Sequence, residues 1–117
     1  MYTYRITKIN RIVDGDTVDI TIDLGFDIHY KTRVRMYGIN APESRTRDLE
    51  EKKRGLAAKD RLTELLNPIV GGVTIRTTKD KTGKFGRLLG ELFVGEVNIN
   101  EQLIKEGHGV PYFGGKR

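Results

Sequence analysis

The sequence predicts a mixed α+β, mainly β, architecture: a five-stranded barrel, with one long helix between strands three and four and a short helix after strand five. Three observations predict it. Thr17-Val18-Asp19-Ile20-Thr21-Ile22-Asp23-Leu24 alternates without a break, apolar at 18, 20, 22 and 24, which is the period of a strand with one buried face. Four further short runs read as strands, and two segments carry helical signals. A curved five-stranded antiparallel sheet must cover its own edges, and a small closed barrel does so. An open sheet with both helices on one face is the alternative that pattern alone leaves.

In chain order, an Ile6/Ile9/Ile12 segment leads into Asp14-Gly15-Asp16-Thr17. Asp-Gly between strand-like runs is the strongest short hairpin signal, so the first two strands form a hairpin. Gly25-Phe26-Asp27 makes the next turn, and Tyr30, Thr32, Val34 and Met36 line one face of a third strand. Lys31, Arg33, Arg35 and Tyr37 occupy its other face. Gly38 to Glu43 reads as an ordered loop, because Pro42 disfavours helix at Ala41 and cannot donate to a ladder.

From Glu50 to Asn67, residues Ala58, Leu62, Leu65, Leu66 and Ile69 recur at helical spacing, and Asn67-Pro68 stops the helix. Val73 to Thr78 is a β-branched fourth strand, Lys79 to Gly86 a basic glycine-containing loop, and Arg87 to Val94 the fifth strand. Asn98 with Glu101 fits a capping box opening the short helix, and Gly107 fits the position beyond its end. The tail from Gly107 shows no periodicity. The commonest closed barrel of five strands is the OB-fold, which is the architecture expected.

At 117 residues the chain has the size of one domain, expected to span 1–117. Zero cysteines exclude a disulfide framework, a thiolate zinc site and a cysteine nucleophile, so any metal site must use oxygen or histidine. No run approaches a bilayer span and the N-terminal residues lack the apolar core of a signal peptide; no membrane association and a cytoplasmic location are expected for the chain as it stands. A monomer is expected. The net charge of +5 is unevenly spread. Ile12 to Tyr30 holds five aspartates and no Lys or Arg, whereas Lys31, Arg33 and Arg35 follow at once. Arg76 to Arg87 carries five bases against Asp80 alone. Solvated strand and loop faces account for such clusters unless chemistry supports another reading.

Three kinds of group stand out: carboxylates near turns (Asp14, Asp16, Glu43), arginines at strand ends (Arg35, Arg87), and aromatics beside glycines (Phe85, Tyr112, Phe113). Singly, each has an ordinary explanation as turn former, cap, exposed cation or core ring. Together they suit one reaction. Phosphodiester hydrolysis needs a cation to offset charge growing on phosphorus-bound oxygens, a base for water, and rigid donors around the phosphate. Oxygen donors in a loop-built site suit a hard ion, Ca2+ or Mg2+, and irregular geometry favours Ca2+. Arginine suits the phosphate, because its planar fork donates two parallel charge-assisted hydrogen bonds.

Val13-Asp14-Gly15-Asp16-Thr17-Val18, Arg35-Met36-Tyr37-Gly38-Ile39-Asn40-Ala41-Pro42-Glu43 and Lys84-Phe85-Gly86-Arg87 resemble, in order and spacing, the three motifs of the staphylococcal (thermonuclease-type) nuclease family. The likeness runs from about Ile6 to Tyr112. It implies an OB-fold, Ca2+-dependent hydrolase of DNA and RNA phosphodiesters. By position, the resemblance makes Asp16 the carboxylate ligand of Ca2+ and the Ala41 carbonyl a second oxygen. Glu43 would orient or deprotonate the attacking water, and Arg35 and Arg87 would hold the scissile phosphate. Lys84 would contact a neighbouring phosphate, Phe85 keeps a ring where the family has a tyrosine, and Tyr112 falls where the family sets a ring against the nucleotide. Asn40 departs from the pattern. It stands where the best-known members have a second Ca2+-binding aspartate, so it can offer a carbonyl oxygen but removes a full negative charge. Two functions follow as expectations: a metal-dependent nuclease with little sequence specificity, or a noncatalytic OB-fold module binding nucleic acid or protein, with a degraded metal site at Asn40.

Overall fold

The computed structural model describes residues 2–66, 72–78 and 88–112. Its strands are β1 (Thr3–Asp14), β2 (Thr17–Asp23), β3 (His29–Met36), β4 (Gly38–Asn40), β5 (Val73–Thr78), β6 (Leu88–Val94), β7 (Val97–Asn98) and β8 (Val110–Tyr112). Helix α1 spans Leu49–Leu66 and α2 spans Ile99–Lys105. The hydrogen-bonded order β3-β2-β1-β5-β6 closes through a β3–β6 pairing, forming the expected five-stranded OB-fold-type barrel with two helices. Closure is parallel rather than antiparallel: Val34 lies opposite Leu88, Arg35 opposite Leu89 and Met36 opposite Gly90. The long connection through α1 and β5 brings β6 up alongside β3 in the same direction, which a short hairpin could not do.

Inside the barrel, Val18, Ile20 and Ile22 of β2 face Val34 and Met36 of β3, Ile75 of β5 and Leu92 of β6. Each fully buried aliphatic side chain of this kind contributes about 1.5–3 kcal/mol. The alternation of β2 stops earlier than expected. β2 ends at Asp23, whose carboxylate accepts from the Gly25 amide at 2.8 Å, and the turn carries Leu24 into solvent. Tyr30, expected on the inner face, is half exposed at the rim.

β1 and β2 form the expected hairpin, and bulges account for the three-residue spacing of Ile6, Ile9 and Ile12. Register shifts between Ile6 and Lys8, Ile9 and Arg11, and Ile12 and Asp14 insert one residue each, at Thr7, Asn10 and Val13. Each bulge restores the facing lost by a three-residue step, so Ile6, Ile9 and Ile12 all lie opposite apolar β2 partners. Bulges also increase strand twist, which is what a small barrel demands of its longest strand.

Three short strands were not expected, and one of them, β7, continues the sheet beyond β6. Gly38–Asn40, read as loop, forms β4, and Val110–Tyr112 from the aperiodic tail pairs with it antiparallel as β8. Pro111 is tolerated because this two-stranded sheet leaves its proline edge unpaired.

The helices close the ends of the barrel. Asp48 accepts from the amides of Glu50 and Glu51 and opens α1, with both glutamates favourably placed at the positive end of the helix dipole. Ala58, Leu62 and Leu66 are its buried stripe. Asn98 caps α2 by accepting from Glu101 N–H at 3.1 Å, as expected, and Gly107 takes φ +83° just beyond the helix. Asn100 is buried with all its polar atoms engaged: Oδ1 accepts from Leu92 N–H, and Nδ2 donates to the carbonyls of Tyr37 and Gly90. That one side chain ties α2 to β6 and to the β3–β4 junction. Among the described residues no helix is long and apolar enough to cross a membrane.

Across the two helices, Arg61 donates to both carboxylate oxygens of Glu106 at 2.6 and 3.1 Å, and Gln102 donates to the same group. These donors hold the Glu106 carboxyl down at about 2, against an ordinary 4.5. A depressed folded-state value stabilises the fold above about pH 4.5, and the contribution is lost as pH falls toward 2. The stability gap between the protein and its Glu106→Gln variant, read as a urea midpoint, is therefore expected to narrow on going from neutral pH to about pH 3. A gap independent of pH contradicts the pairing.

Candidate active site

The Asp14-Gly15-Asp16-Thr17 turn meets β3, the segment after β4 and α1 at one end of the barrel. Asp16 is buried, and each of its carboxylate oxygens has a hydrogen-bond donor. Oδ2 accepts from Ala41 N–H at 2.8 Å, Oδ1 accepts from the Thr17 hydroxyl at 2.9 Å, and Arg35 Nη2 lies 3.7 Å from Oδ2. A buried carboxylate costs several kcal/mol unless it is paired and hydrogen-bonded, and here it is both. Its backbone carbonyl accepts from Met36 N–H, which fixes the turn against the end of β3.

Arg35 is placed by sheet register. It lies opposite Thr17 on β2 and Leu89 on β6, so it sits where the barrel closes. Its Nη1 donates to the Met36 carbonyl at 2.8 Å, which turns the guanidinium along the strand end toward Asp16.

Close packing by small residues brings these parts together. A Cβ on Gly15 would stand 2.7 Å from Ala58 Cβ on α1 and 3.1 Å from Ala41 Cβ. A Cβ on Gly55 would lie 2.3 Å from the Glu43 carbonyl oxygen and 2.7 Å from Ser44 N. The Glu43–Ser44 peptide thus rests directly on the helix backbone. Beside it, Asp14 Oδ1 accepts from both the amide and the hydroxyl of buried Ser44. Glu43 N–H donates to Glu51 of α1. Its exposed side chain, with Asp14 and Arg45, lines an open polar cavity of about 440 Å³.

The fold therefore brings Asp16, Ala41 and Arg35 into direct contact and sets Glu43 beside Asp14. Asn40 ends β4 opposite Val110, and Tyr112 pairs with Gly38 at the other end of that strand. Lys84, Phe85 and Arg87 lie outside the described residues. Asp14, Ser44 and Gly55 are positioning residues that the motif reading did not assign. The available signal for Gly55 was a glycine inside a helical run, which costs about 1 kcal/mol relative to alanine without a packing reason.

The donors that the motif resemblance assigns to a cation, the Asp16 carboxylate, the Asn40 side chain and the Ala41 carbonyl, are all hard oxygen atoms, of the kind that would suit Ca2+. Each Asp16 oxygen accepts one hydrogen bond in the contacts above, which leaves lone-pair capacity. Among the described residues no group of three or more His, Cys, Asp or Glu side chains is arranged to hold a metal. The donor set thus fits a hard cation through a single carboxylate plus neutral oxygens.

The protein is thus a closed OB-type barrel domain with a buried aspartate, an arginine at the barrel seam and a glutamate in an adjacent polar groove. The comparison with known proteins is specific: residues 33–116 match the family of staphylococcal nuclease homologues, and the chain belongs to that family. It is 33% identical over 100 residues to a prophage-derived endonuclease of Bacillus subtilis, covering 85% of this chain and 31% of that protein. It is 28% identical over 100 residues to a thermonuclease of Staphylococcus hyicus (86% and 55%), and 26% identical over 101 residues to a protein of Escherichia coli named as an uncharacterized endonuclease (86% and 56%). The chain spans about half the length, or less, of these relatives.

Gly55→Ala tests the close approach of helix and loop. In an ordinary helix it stabilises by about 1 kcal/mol; here it is expected to destabilise by roughly 1–3 kcal/mol, because the new methyl meets backbone that must shift. Urea denaturation reads the sign directly, and a stabilised variant contradicts the packing.

Proposed function

We propose that the chain forms one monomeric, Ca2+-dependent nuclease domain that hydrolyses phosphodiester bonds of DNA, RNA or both with little sequence preference. The observation that carries the reading is the buried Asp16 carboxylate held by Ala41 N–H with Arg35 3.7 Å away, next to the groove lined by Glu43 and Asp14. Family membership and relatives named as endonucleases and a thermonuclease support it.

Asp16, the Asn40 side chain and the Ala41 carbonyl hold the ion, which when bound supplies positive charge beside the phosphate. Arg35, with Arg87, grips the scissile phosphate bidentately and stabilises charge growing on its oxygens. Glu43 accepts the proton from the attacking water, whose oxygen bonds to phosphorus. The leaving oxygen departs with its electron pair and takes a proton from solvent. Lys84 contacts a neighbouring phosphate, and Phe85 and Tyr112 offer rings to bases, a contact that tolerates any sequence.

Asn40 favours a second reading. With one carboxylate donor, and Arg35 offsetting its charge, the site attracts a divalent ion less strongly than a two-aspartate site. A noncatalytic module binding nucleic acid through the same face is the reading this supports.

Purified protein is expected to degrade single-stranded DNA in millimolar Ca2+ and to stop when a chelator is added. A protein that shifts DNA in a gel and never cuts it establishes the binding module instead. Arg35→Ala is expected to lower kcat by about 10²–10³-fold in molecules that remain folded, and also to lower stability by leaving Asp16 without its cation. Glu43→Gln slows cleavage with little change in nucleotide binding, and turnover at the parent rate removes Glu43 as base. Asn40→Asp is expected to tighten Ca2+ binding in a calorimetric titration; an unchanged affinity places residue 40 outside the coordination shell.

A further inference from the structure

The three bulges of β1 do more than keep isoleucines inside the barrel. They also keep Arg5, Lys8 and Arg11 together on the outside, each exposed and each opposite an outward-facing residue of β2: Arg5 opposite Asp23, Lys8 opposite Thr21, Arg11 opposite Asp19. An unbulged strand would send every second residue inward and bury one of these cations. Across β2 the pairing continues onto β3, with Asp23 opposite His29, Thr21 opposite Lys31, Asp19 opposite Arg33 and Thr17 opposite Arg35.

The outer face of β1–β2–β3 is therefore a grid with two cationic rails. One rail is Arg5, Lys8 and Arg11; the other is Lys31 and Arg33, ending at Arg35 in the proposed active site. Rows follow one another every roughly 6.7 Å, two residues of strand, and the rails stand roughly 9.6 Å apart with β2 as the floor between them. The row spacing is comparable to the phosphate repeat of an extended single strand. The floor is not strongly repulsive. Asp19 is held by both Arg33 nitrogens at 2.8 and 3.2 Å, and these hydrogen bonds with Arg11 nearby keep its carboxyl below the usual range. Asp23 is engaged by the Gly25 amide, and Thr17 and Thr21 are neutral.

We infer that the outer face of β1–β2–β3 is a track for single-stranded nucleic acid, along which Lys8 and Lys31, with Arg5, Arg11 and Arg33, hold the phosphates of the strand leading to Arg35. The track rests on the nuclease reading only for naming Arg35 as its catalytic end. From Arg35 to His29 it is roughly 20 Å long, room for three or four extended nucleotides. The Lys8–Thr21–Lys31 row, which has two cations and no acid, is its strongest phosphate position. Lysine and arginine rails flanking a polar floor supply affinity without reading bases.

Fluorescence anisotropy with a dye-labelled octathymidylate, in chelator so that nothing is cut, tests the track apart from catalysis. The Lys8→Glu/Lys31→Glu variant is expected to bind at least tenfold more weakly than the parent and to flatten the slope of log affinity against log salt by about 1.4, the share of two single-strand phosphate contacts. Lys105→Glu, on α2 against β4, β6 and β7, reverses one charge elsewhere and is expected to weaken binding less than twofold. Unchanged affinity in the double variant, or an equal loss from Lys105→Glu, overturns the track. So does a duplex of equal length that outcompetes the single strand and depends on the same two lysines. Cleavage assayed in Ca2+ separates the two readings. Lysine-dependent binding without any cleavage removes the nuclease reading and supports the track, whereas cleavage with lysine-independent binding removes the track alone.

Discussion

The hydrogen bond from Ala41 N–H to the buried Asp16 carboxylate is the contact on which the rest of this end of the molecule depends. It joins residues 25 positions apart, in a two-residue turn and in a segment just past a three-residue strand, neither of which has enough local structure to hold itself. The carboxylate is out of water, so its cost is met only while Ala41, Thr17 and Arg35 stay in place around it. The same group that demands these neighbours is the one negatively charged donor of the proposed cation site. Fold and chemistry at Asp16 are thus a single requirement.

Small side chains make that requirement reachable. Gly15 lets the turn press on Ala58 and Ala41, and Gly55 lets the Glu43–Ser44 peptide lie on α1. α1 acts as a flat surface for two chain segments, at the expense of a glycine inside its own run. Asp14 then fastens Ser44, so the residue next to Glu43 is buried while Glu43 itself remains exposed in the groove. A carboxylate exposed at its oxygens and fixed through its backbone neighbours suits the proton transfer proposed for Glu43.

Much of this was legible in the sequence, for reasons that differ from element to element. β2 was readable because one face is buried and strands alternate with period two. α2 was readable because Asn98 and Glu101 are local partners. β1 was readable as the first arm of a hairpin from Asp14-Gly15, but its bulges were not, because they change the period from two to three and a three-residue repeat belongs to no regular element. β4 and β8 were missed because each is three residues long and exists only through the other. At the site, Asp14, Asp16, Arg35 and Glu43 stood out as residue types suited to phosphate chemistry. The positioning work of Asp14, Ser44 and Gly55 did not, since it is set by contacts across 30 residues or between a helix and a loop. The cationic rails needed register: Lys8 and Lys31 are neighbours of Thr21 only in the folded sheet.

The central claim is that oxygen atoms at Asp16, Asn40 and Ala41 form one divalent-ion site. A Ca2+ titration followed by amide nuclear magnetic resonance tests it most directly, because the Ala41 amide reports on the Asp16 carboxylate through the bond between them. The account predicts saturable shifts centred on Asp16, Thr17, Asn40 and Ala41, abolished in Asp16→Ala. Those amides staying still while Ca2+ shifts signals elsewhere in the protein would contradict it.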